Sequence, residues 1–513
     1  MIKKSMINRM SIGKRSSRLL VLFAALVFPN WTHAQTTNQP EIVEIDAAAP
    51  VHPFPHFWEH MFGSGRANLS LRDSYRQDLR QVKQITEVEF IRFHAIFLDD
   101  MGVYDEDAAG HSVYNFSYVD QAYDGLLQSG VRPFVELSFM PKKLAAQDAP
   151  HAFWYKQNVA PPKDWNKWDD LIYHFTKHLV DRYGEDQVAK WYFEVWNEPN
   201  IDFWVGDPKQ ATYWDLYDHS VTAVKRVSAR LRVGGPATAQ AAWADAFIQH
   251  CVDKHIPVDF VSTHVYGNDS APDVFGTHEN IPRDRMVCRA VKKVHEQIKA
   301  SALPKLPLIW SEFNASYKNE PAITDSTYMG PWMADTIRQC DGLVDEMSYW
   351  SFSDVFEEQG VVKEPFYGGY GLIAAGGIPK PAFAAFKILH QLGHERLALD
   401  SDSALVTRAA DGSLVVAVWN LISPEQTGAR KTVVLRFKNL RSARRASISR
   451  VDRDHGDPHP EYEKMGSPVY PTQAQLQKLR DSVAIGAPEI QQIKGGELSL
   501  TLPTNGLAVI GIK

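Results

Sequence analysis

Two glutamates occupy positions where a chain rarely tolerates a carboxylate. Glu198 closes the run Trp191-Tyr-Phe-Glu-Val-Trp-Asn-Glu-Pro-Asn200, and Glu312 lies within Pro307-Leu-Ile-Trp-Ser-Glu-Phe-Asn-Ala-Ser316. Aromatic and β-branched residues run together in the first stretch, as in a strand buried on both faces of a parallel sheet. Burying a lone charge there is costly unless something pairs with it or uses it. Pro199 has no N–H and disfavours the right-handed helical region for its predecessor, so Glu198 is expected at the extended end of a strand. The plain alternative for Glu198 is a strand-end carboxylate paired with an arginine.

Two such carboxylates can break a glycosidic bond. One protonates the leaving oxygen, and the second works from the opposite side of the sugar ring. Glu198 is assigned as general acid/base and Glu312 as nucleophile. A charged Glu312 would oppose ionisation of Glu198 and keep that acid protonated. Arg92 is the expected donor that orients Glu312. Asn197 is placed to bond the sugar 2-hydroxyl, a contact that strengthens at the transition state. Tyr266 and His264 are expected to orient Glu312 and the sugar, and Trp350 offers an aromatic platform for the ring's apolar face. A carboxyl separation of about 5–5.5 Å predicts retention of anomeric configuration, and roughly 6.5–9.5 Å predicts inversion.

Such residues need a scaffold that gathers distant strand ends. Strands are predicted over 57–63, 90–94, 133–138, the stretch 191–200 itself, 231–236, 259–266, 307–316 and 347–352, with 63–66 read as a Gly-rich turn. Helices are predicted over 71–87, 118–129, 168–183, 213–231, 284–301, 329–341 and 381–392, from apolar residues at helical spacing and glycine stops. This alternation predicts an α/β chain whose residues 51–393 form a (β/α)8 TIM barrel. Arg92, His94, Glu136, Asn197, Glu198, His264, Tyr266, Glu312 and Trp350 all fall at the trailing ends of their strands, the face where such barrels place their active sites. Glu136 is read as structural, paired with an arginine. His52, His56 and His60 are read as packing and surface groups.

After Gly393 the rhythm changes to short strands at 404–410, 414–421, 432–438, 446–451, 498–502 and 508–512. Asp411-Gly412 marks a hairpin, and 473–482 reads as one inserted helix. Residues 394–513 are therefore expected to form a β-sandwich, which a strand at 41–47 within the segment 35–50 is expected to join.

Six basic residues head the chain, an apolar run from Leu19 to Phe28 follows, and Thr32-His33-Ala34 ends on a small residue. Residues 1–34 thus read as an export signal cleaved near Ala34, giving a periplasmic or secreted protein. The apolar run is short for a membrane span, and no later stretch is apolar enough for one. The whole chain carries 55 basic and 61 acidic residues; losing the signal's six basic residues leaves 49 against 61, a net charge of −12. That balance argues against nucleic acid and against polyanionic substrates. Three cysteines, Cys251, Cys288 and Cys340, allow one bridge in any of three pairings. No CxxC or HExxH spacing points to a metal, and no cofactor is expected. Oligomeric state is not legible.

The segments Phe193-Glu-Val-Trp-Asn-Glu-Pro-Asn200, Phe62-Gly-Ser-Gly-Arg-Ala67, Arg92-Phe-His94, Ser311-Glu-Phe-Asn-Ala-Ser316, Phe352-Ser-Asp-Val-Phe-Glu-Glu358 and Val451-Asp-Arg-Asp-His-Gly456 together resemble glycoside hydrolase family 39, the β-xylosidases, within the retaining clan A. The resemblance runs from about Trp58 to the C-terminus. It implies a retaining exo-glycosidase acting on xylo-oligosaccharides, with Glu198 as acid/base and Glu312 as nucleophile. It also implies that His94, Asn197, His264, Trp350 and the Glu357/Glu358 pair line the sugar subsite; because those two glutamates adjoin, at most one is expected to face it. One departure is Ala95, where the family often has glycine. The rival readings are β-glucosidase, β-galactosidase, α-L-arabinosidase or iduronidase-like specificity on the same scaffold, a noncatalytic carbohydrate-binding barrel, and a metal-dependent barrel hydrolase. An iduronidase-like enzyme would want a second Arg or Lys beside the subsite. A metal-dependent hydrolase would want His-x-His on the first strand, which Trp58-Glu-His60 does not supply.

Overall fold

The computed structural model describes residues 39–440 and 445–513. Eight parallel strands close into a barrel: β1 (Met61–Arg66), β2 (Phe90–His94), β3 (Arg132–Leu137), β4 (Tyr192–Val195), β5 (Arg232–Thr238), β6 (Phe260–Tyr266), β7 (Leu308–Asn314) and β8 (Glu346–Tyr349). Each strand is hydrogen-bonded to its neighbours in chain order, and β8 returns to β1. Among the described residues no helix is long and apolar enough to cross a membrane. The export signal read from residues 1–34 lies outside the described residues.

Most barrel elements fall within a few residues of expectation. Four departures stand out. The first strand begins at Met61, and residues 57–60 form a turn before it. The sequence expected from 63 to 66 to be a turn is strand instead. Its glycines are there for close approach: a Cβ on Gly63 would lie 2.1 Å from the Trp350 ring, and one on Gly65 would lie 2.8 Å from Leu69. A helix over Ala244–Lys254 escaped sequence reading; it lacks a side-chain cap and is bracketed by left-handed Trp243 and His255. Val51–Pro53, expected with the barrel, instead pairs antiparallel with Glu395–Leu397.

The C-terminal region is a sandwich of two sheets. Strand Glu41–Asp46 runs parallel to Lys431–Lys438, which pairs with Glu497–Leu502. The facing sheet of seven strands includes Ala404–Arg408, Leu414–Trp419, Leu507–Ile512 and Arg445–Val451. Val416 and Val418 point into the sandwich with Val43, Val433 and Leu500, whereas Val415 and Ala417 join the barrel's core. Burial on both faces explains why Leu414–Trp419 is an unbroken apolar run.

An insertion from the sandwich reaches back to the barrel. Tyr462 and Leu479 pack on Phe366, Ala374 and Ile378, and Arg480 donates to the carbonyls of Gly376 and Gly377. That contacted segment follows β8, so the sandwich braces the loop that forms one wall of the barrel mouth. Beneath the same loop, buried Lys380 holds Asp325 (2.8 Å), Asp354 (3.0 Å) and the Gly369 carbonyl (2.7 Å).

Of the early histidines, His52 is exposed and bonds Asp341, and His60 bonds Glu346. Buried His56 bonds Glu59 at 2.6 Å, and His390 approaches the same carboxylate at 3.0 Å. The donor atoms of that trio lie within 4.8 Å of one another, a spacing an ion could use, but they already satisfy each other.

Candidate active site

A cavity of about 320 Å³ opens where the strands end, lined by His94, Asn197, Glu198, Tyr266, Glu312, Trp350 and Glu358 among others. These come from β2, β6, β7 and the segments just after β4 and β8, as a barrel mouth requires.

Arg92 organises the floor. Its guanidinium is fully buried and donates to Glu312 Oε1 (2.6 Å), Glu194 Oε2 (2.6 Å) and Asn197 Oδ1 (3.0 Å), with Glu136 Oε2 2.7 Å from Nη2. Burial disfavours its charge, but the carboxylates of Glu136, Glu194 and Glu312 raise its pKa above the usual arginine value. Glu136 is thus the structural partner anticipated for it. Although burial pushes Glu136 upward, Arg92 and His94 bring its pKa below the ordinary carboxylate value. Glu194 was missed; a lone acid inside Tyr192–Val195 was the available signal.

Glu312 accepts from Arg92 on one oxygen and from Tyr266 Oη (2.6 Å) on the other. Burial, with the charge of Glu312, keeps the Tyr266 phenol protonated. Glu198 is not extended as its proline had suggested. The strand stops at Val195, and both Trp196 (φ 71°) and Glu198 (φ 46°) adopt left-handed backbone. The Glu198 N–H donates to the Ala237 carbonyl at 2.7 Å. Proline disfavours the right-handed helical region without forcing an extended one, and the left-handed turn is what swings the carboxyl over the cavity.

An oxygen of Glu198, one of Glu312 and a nitrogen of His264 lie within 4.8 Å of one another. Although its side chain keeps 12% exposure, Glu198 has a pKa raised well above the usual carboxylate value, first by burial, then by the charges of Glu312 and Asp269. His264 is held neutral by burial and by the positive charge of Arg92. Its Nδ1 is 3.0 Å from Glu198 and 3.7 Å from Glu312, so it partners the acid more closely than the nucleophile.

His94 Nδ1 bonds Glu136 at 2.7 Å, and its ring lies against Trp350 with centroids 4.7 Å apart. Asn197 spends its oxygen on Arg92, which leaves its amide N–H groups for a ligand. Of the adjoining pair, Glu358 faces the cavity and Glu357 does not. Glu357 is instead paired with Arg72 (2.7 Å) and Arg66 (3.2 Å), and so is withdrawn from the sugar-contacting set. Burial and the charges of Glu312 and Glu136 raise the pKa of Glu358 well above the carboxylate norm. Ala95 does not line the cavity. Its φ of 69° is a left-handed position, where glycine carries no steric cost. Sequence reading also missed Gln240, Asp269 and Tyr317, which come from loops.

The set can protonate a glycosidic oxygen from Glu198 while Glu312 attacks the anomeric carbon from a few ångströms away. The Glu198–His264–Glu312 trio has a spacing that could admit a cation, but this chemistry needs none.

The model of glycosyl hydrolases family 39 matches residues 41–494. A β-xylosidase of Geobacillus stearothermophilus is 37% identical over 474 residues, 90% of this chain and 93% of that protein. One from Caldicellulosiruptor saccharolyticus is 36% identical over 437 residues, 82% and 87% of the two. The solved structure of a family 39 β-xylosidase from Caulobacter crescentus superposes with a TM-score of 0.80 at 34% identity, covering 92% of this chain and all of that one.

Proposed function

Since this chain belongs to family 39 of the glycosyl hydrolases, we propose that it removes terminal β-linked xylose from xylo-oligosaccharides by double displacement. The observation that carries the reading is the approach of Glu198 and Glu312 to within 4.8 Å. That gap suits direct attack by a carboxylate and leaves no room for the water an inverting enzyme places between them.

In the first step Glu312 attacks the anomeric carbon and forms a glycosyl ester. Glu198 gives its proton to the glycosidic oxygen, which departs as the alcohol of the leaving sugar. In the second step the Glu198 carboxylate takes a proton from water, the water oxygen attacks the same carbon, and Glu312 is released. Two inversions leave the β-anomer. Asn197 donates to the 2-hydroxyl, and Trp350 supports the ring.

The cavity's charge speaks against a uronate. Among the described residues none lining it is Lys or Arg, so a substrate carboxylate would be desolvated beside Glu312 without a compensating cation. Export is proposed as well, supported by the basic-then-apolar head of the chain and by a Cys288–Cys340 disulfide, which suits an oxidising compartment.

A panel of nitrophenyl glycosides tests the substrate, and NMR of the first-formed sugar tests the stereochemistry. The β-xyloside should turn over fastest and yield β-xylose before mutarotation. Preference for a glucoside, galactoside or arabinoside, or α-xylose as first product, overturns the reading.

A further inference from the structure

The cavity has a buried inner half and a more open outer half. Glu312, His94, Glu358 and Trp350 belong to the first and are all buried. Gln240, Asp269 and Tyr317 belong to the second. Glu198 serves both, because Glu312 and Asp269 each lie close enough for their charge to oppose its ionisation. An acid that protonates a glycosidic oxygen has the attacked sugar on one side of that oxygen and the leaving sugar on the other.

We propose that Gln240 and Asp269, walled by the ring of Tyr317, form the subsite that binds the leaving sugar and so set the preference for a sugar over other leaving groups. This rests on the xylosidase reading above.

The segment carrying Gln240 is built to keep station with the acid. The Glu198 N–H donates to Ala237 O. Two residues on, the Asn200 side chain both donates to Ala239 O (3.0 Å) and accepts from Ala239 N–H (2.8 Å). Lys293 holds Ala241 O from below. Between these clamps Ala237, Gln240, Ala241 and Trp243 all adopt left-handed backbone, with φ from 51° to 61°. Four non-glycine residues in that region are costly, and such strain gathers where a loop must present groups to a ligand.

Asp269 is fixed just as firmly. Its carboxylate accepts the Tyr266 N–H at 2.7 Å and pairs with the Gln240 side chain. Tyr266 in turn donates to Glu312. Tyr317 keeps 45% exposure. Asn268 Oδ1 accepts its N–H, and Tyr370 Oη donates to its carbonyl. An exposed ring on a backbone held at both its N–H and its carbonyl, beside an amide–carboxylate pair, offers an apolar wall and a donor–acceptor set, the combination a sugar's C–H face and vicinal hydroxyls require. In a β-1,4-linked xylose the 3-hydroxyl adjoins the oxygen that Glu198 protonates, so it falls nearest to Asp269 and Gln240.

The test compares kcat/KM for xylobiose with kcat/KM for 4-nitrophenyl β-xyloside in the full chain, in Gln240→Ala and in Asp269→Asn. The asparagine keeps an oxygen for the Tyr266 N–H. An aryl group cannot use the hydrogen bonds that a sugar makes, so the xylobiose-to-aryl ratio should fall about tenfold or more in each variant, the loss of roughly one good hydrogen bond. A merely structural role would lower both substrates together and leave the ratio alone, and a perturbed Glu198 would also move the basic limb of the pH profile, which Gln240→Ala should leave in place. Ratios within twofold of the parent overturn the proposal. Should Asp269→Asn fail to fold, Gln240→Ala decides alone, since its segment is held by Asn200 and Lys293. A parent that cleaves the aryl xyloside but not xylobiose sinks the xylosidase reading and this one with it. A parent that cleaves both, with unmoved ratios in the variants, sinks only the subsite.

Discussion

His264 Nδ1 lies 3.0 Å from Glu198 Oε1, while its Nε2 lies 3.1 Å from Ser311 Oγ. Ser311 donates its own proton to Glu194 Oε1 at 2.6 Å. The serine oxygen is therefore an acceptor for His264, and Nε2 carries the imidazole proton. A neutral His264 then has only a lone pair at Nδ1, so the proton between it and Glu198 belongs to Glu198. The histidine stabilises the acid in its protonated form, which adds to the burial that already raises its pKa.

That chain fixes the sign of a pH effect. Activity is lost as pH rises through the Glu198 pKa, because the leaving oxygen then has no proton donor. His264→Ala removes a partner of the neutral carboxyl, so the basic limb of kcat/KM should move to lower pH. The size is one hydrogen bond, about 1 kcal/mol, or somewhat under one pH unit. A basic limb that stays put, or moves up, shows that the proton lies on the histidine.

The two carboxylates can be told apart chemically. Glu312→Ala should cut turnover on the order of 10⁴-fold, since no covalent intermediate can form. Azide should restore part of the rate by attacking the anomeric carbon directly, giving the α-glycosyl azide. Glu198→Ala should lose about 10²–10⁴-fold on substrates with poor leaving groups, with azide now intercepting the glycosyl ester to give the β-glycosyl azide. NMR of the azide products decides. Like anomers from both variants would show that the roles are misassigned.

Arg92 faces Glu136, Glu194 and Glu312 with no exposure of its guanidinium. Removing it would strand Glu194 and Glu312 and leave Glu136 with only His94 beside it. Arg92→Gln should cost about 3–5 kcal/mol of stability, the usual penalty for breaking one side of a buried ion network. Arg92→Lys should recover only part of it, because an ammonium cannot fork between Glu194 and Glu312. Thermal unfolding measures both; a glutamine variant as stable as the parent would contradict the account.

What the sequence disclosed follows from this same cost. Arg92, His94, Glu136, His264 and Glu312 stood out because ionisable groups inside apolar strands must be paired or used, and barrel geometry then forces strand ends together. Glu357 and Glu358 were inseparable because neighbours on a loop can face either way, and only the cations Arg66 and Arg72 decide between them. Gln240, Asp269 and Tyr317 gave no signal, since polar residues in loops are ordinary. The left-handed turn at Glu198 was hidden too, because a following proline disfavours one helical region and says nothing of the other. The family resemblance pointed to the chemistry, and only the folded chain shows the turn at Glu198 and the loop residues that line the cavity beside it.

Three pairings were open to the cysteines, and the structure joins Cys288 to Cys340, tying helix Arg283–Ala300 to helix Met329–Cys340. The bridge closes a loop with a sequence separation of 52. Chain entropy for a loop of that size is worth about 4 kcal/mol, and measured bridges commonly give about 2–4. Reduction, or Cys288→Ser, should lower the denaturant midpoint accordingly. Cys251 is buried with its thiol pushed up to about 12, so it should resist alkylation in the native protein. Rapid labelling of Cys251, or a midpoint indifferent to reductant, would refute this pairing.

Asp78 accepts from Ser353 Oγ at 2.6 Å beneath the loop that follows β8. It is buried, and desolvation pushes its carboxyl up to about 7, with Asp354 adding to the rise and Arg480 opposing it. In the unfolded chain an aspartate ionises near pH 4. Between those two values the folded protein binds the extra proton, so stability falls as pH rises from about 4 to about 7 and is flat beyond. The full span corresponds to roughly 4 kcal/mol, an upper figure because other groups titrate in the same window. Asp78→Asn keeps an oxygen for Ser353 and removes the titration. The variant should be more stable than the parent at pH 8, with the difference shrinking toward zero at pH 4. Denaturant unfolding across that range measures it. A variant that is less stable at pH 8 would mean that the Asp78 charge is wanted, most plainly by Arg480, which anchors the sandwich insertion to Gly376 and Gly377.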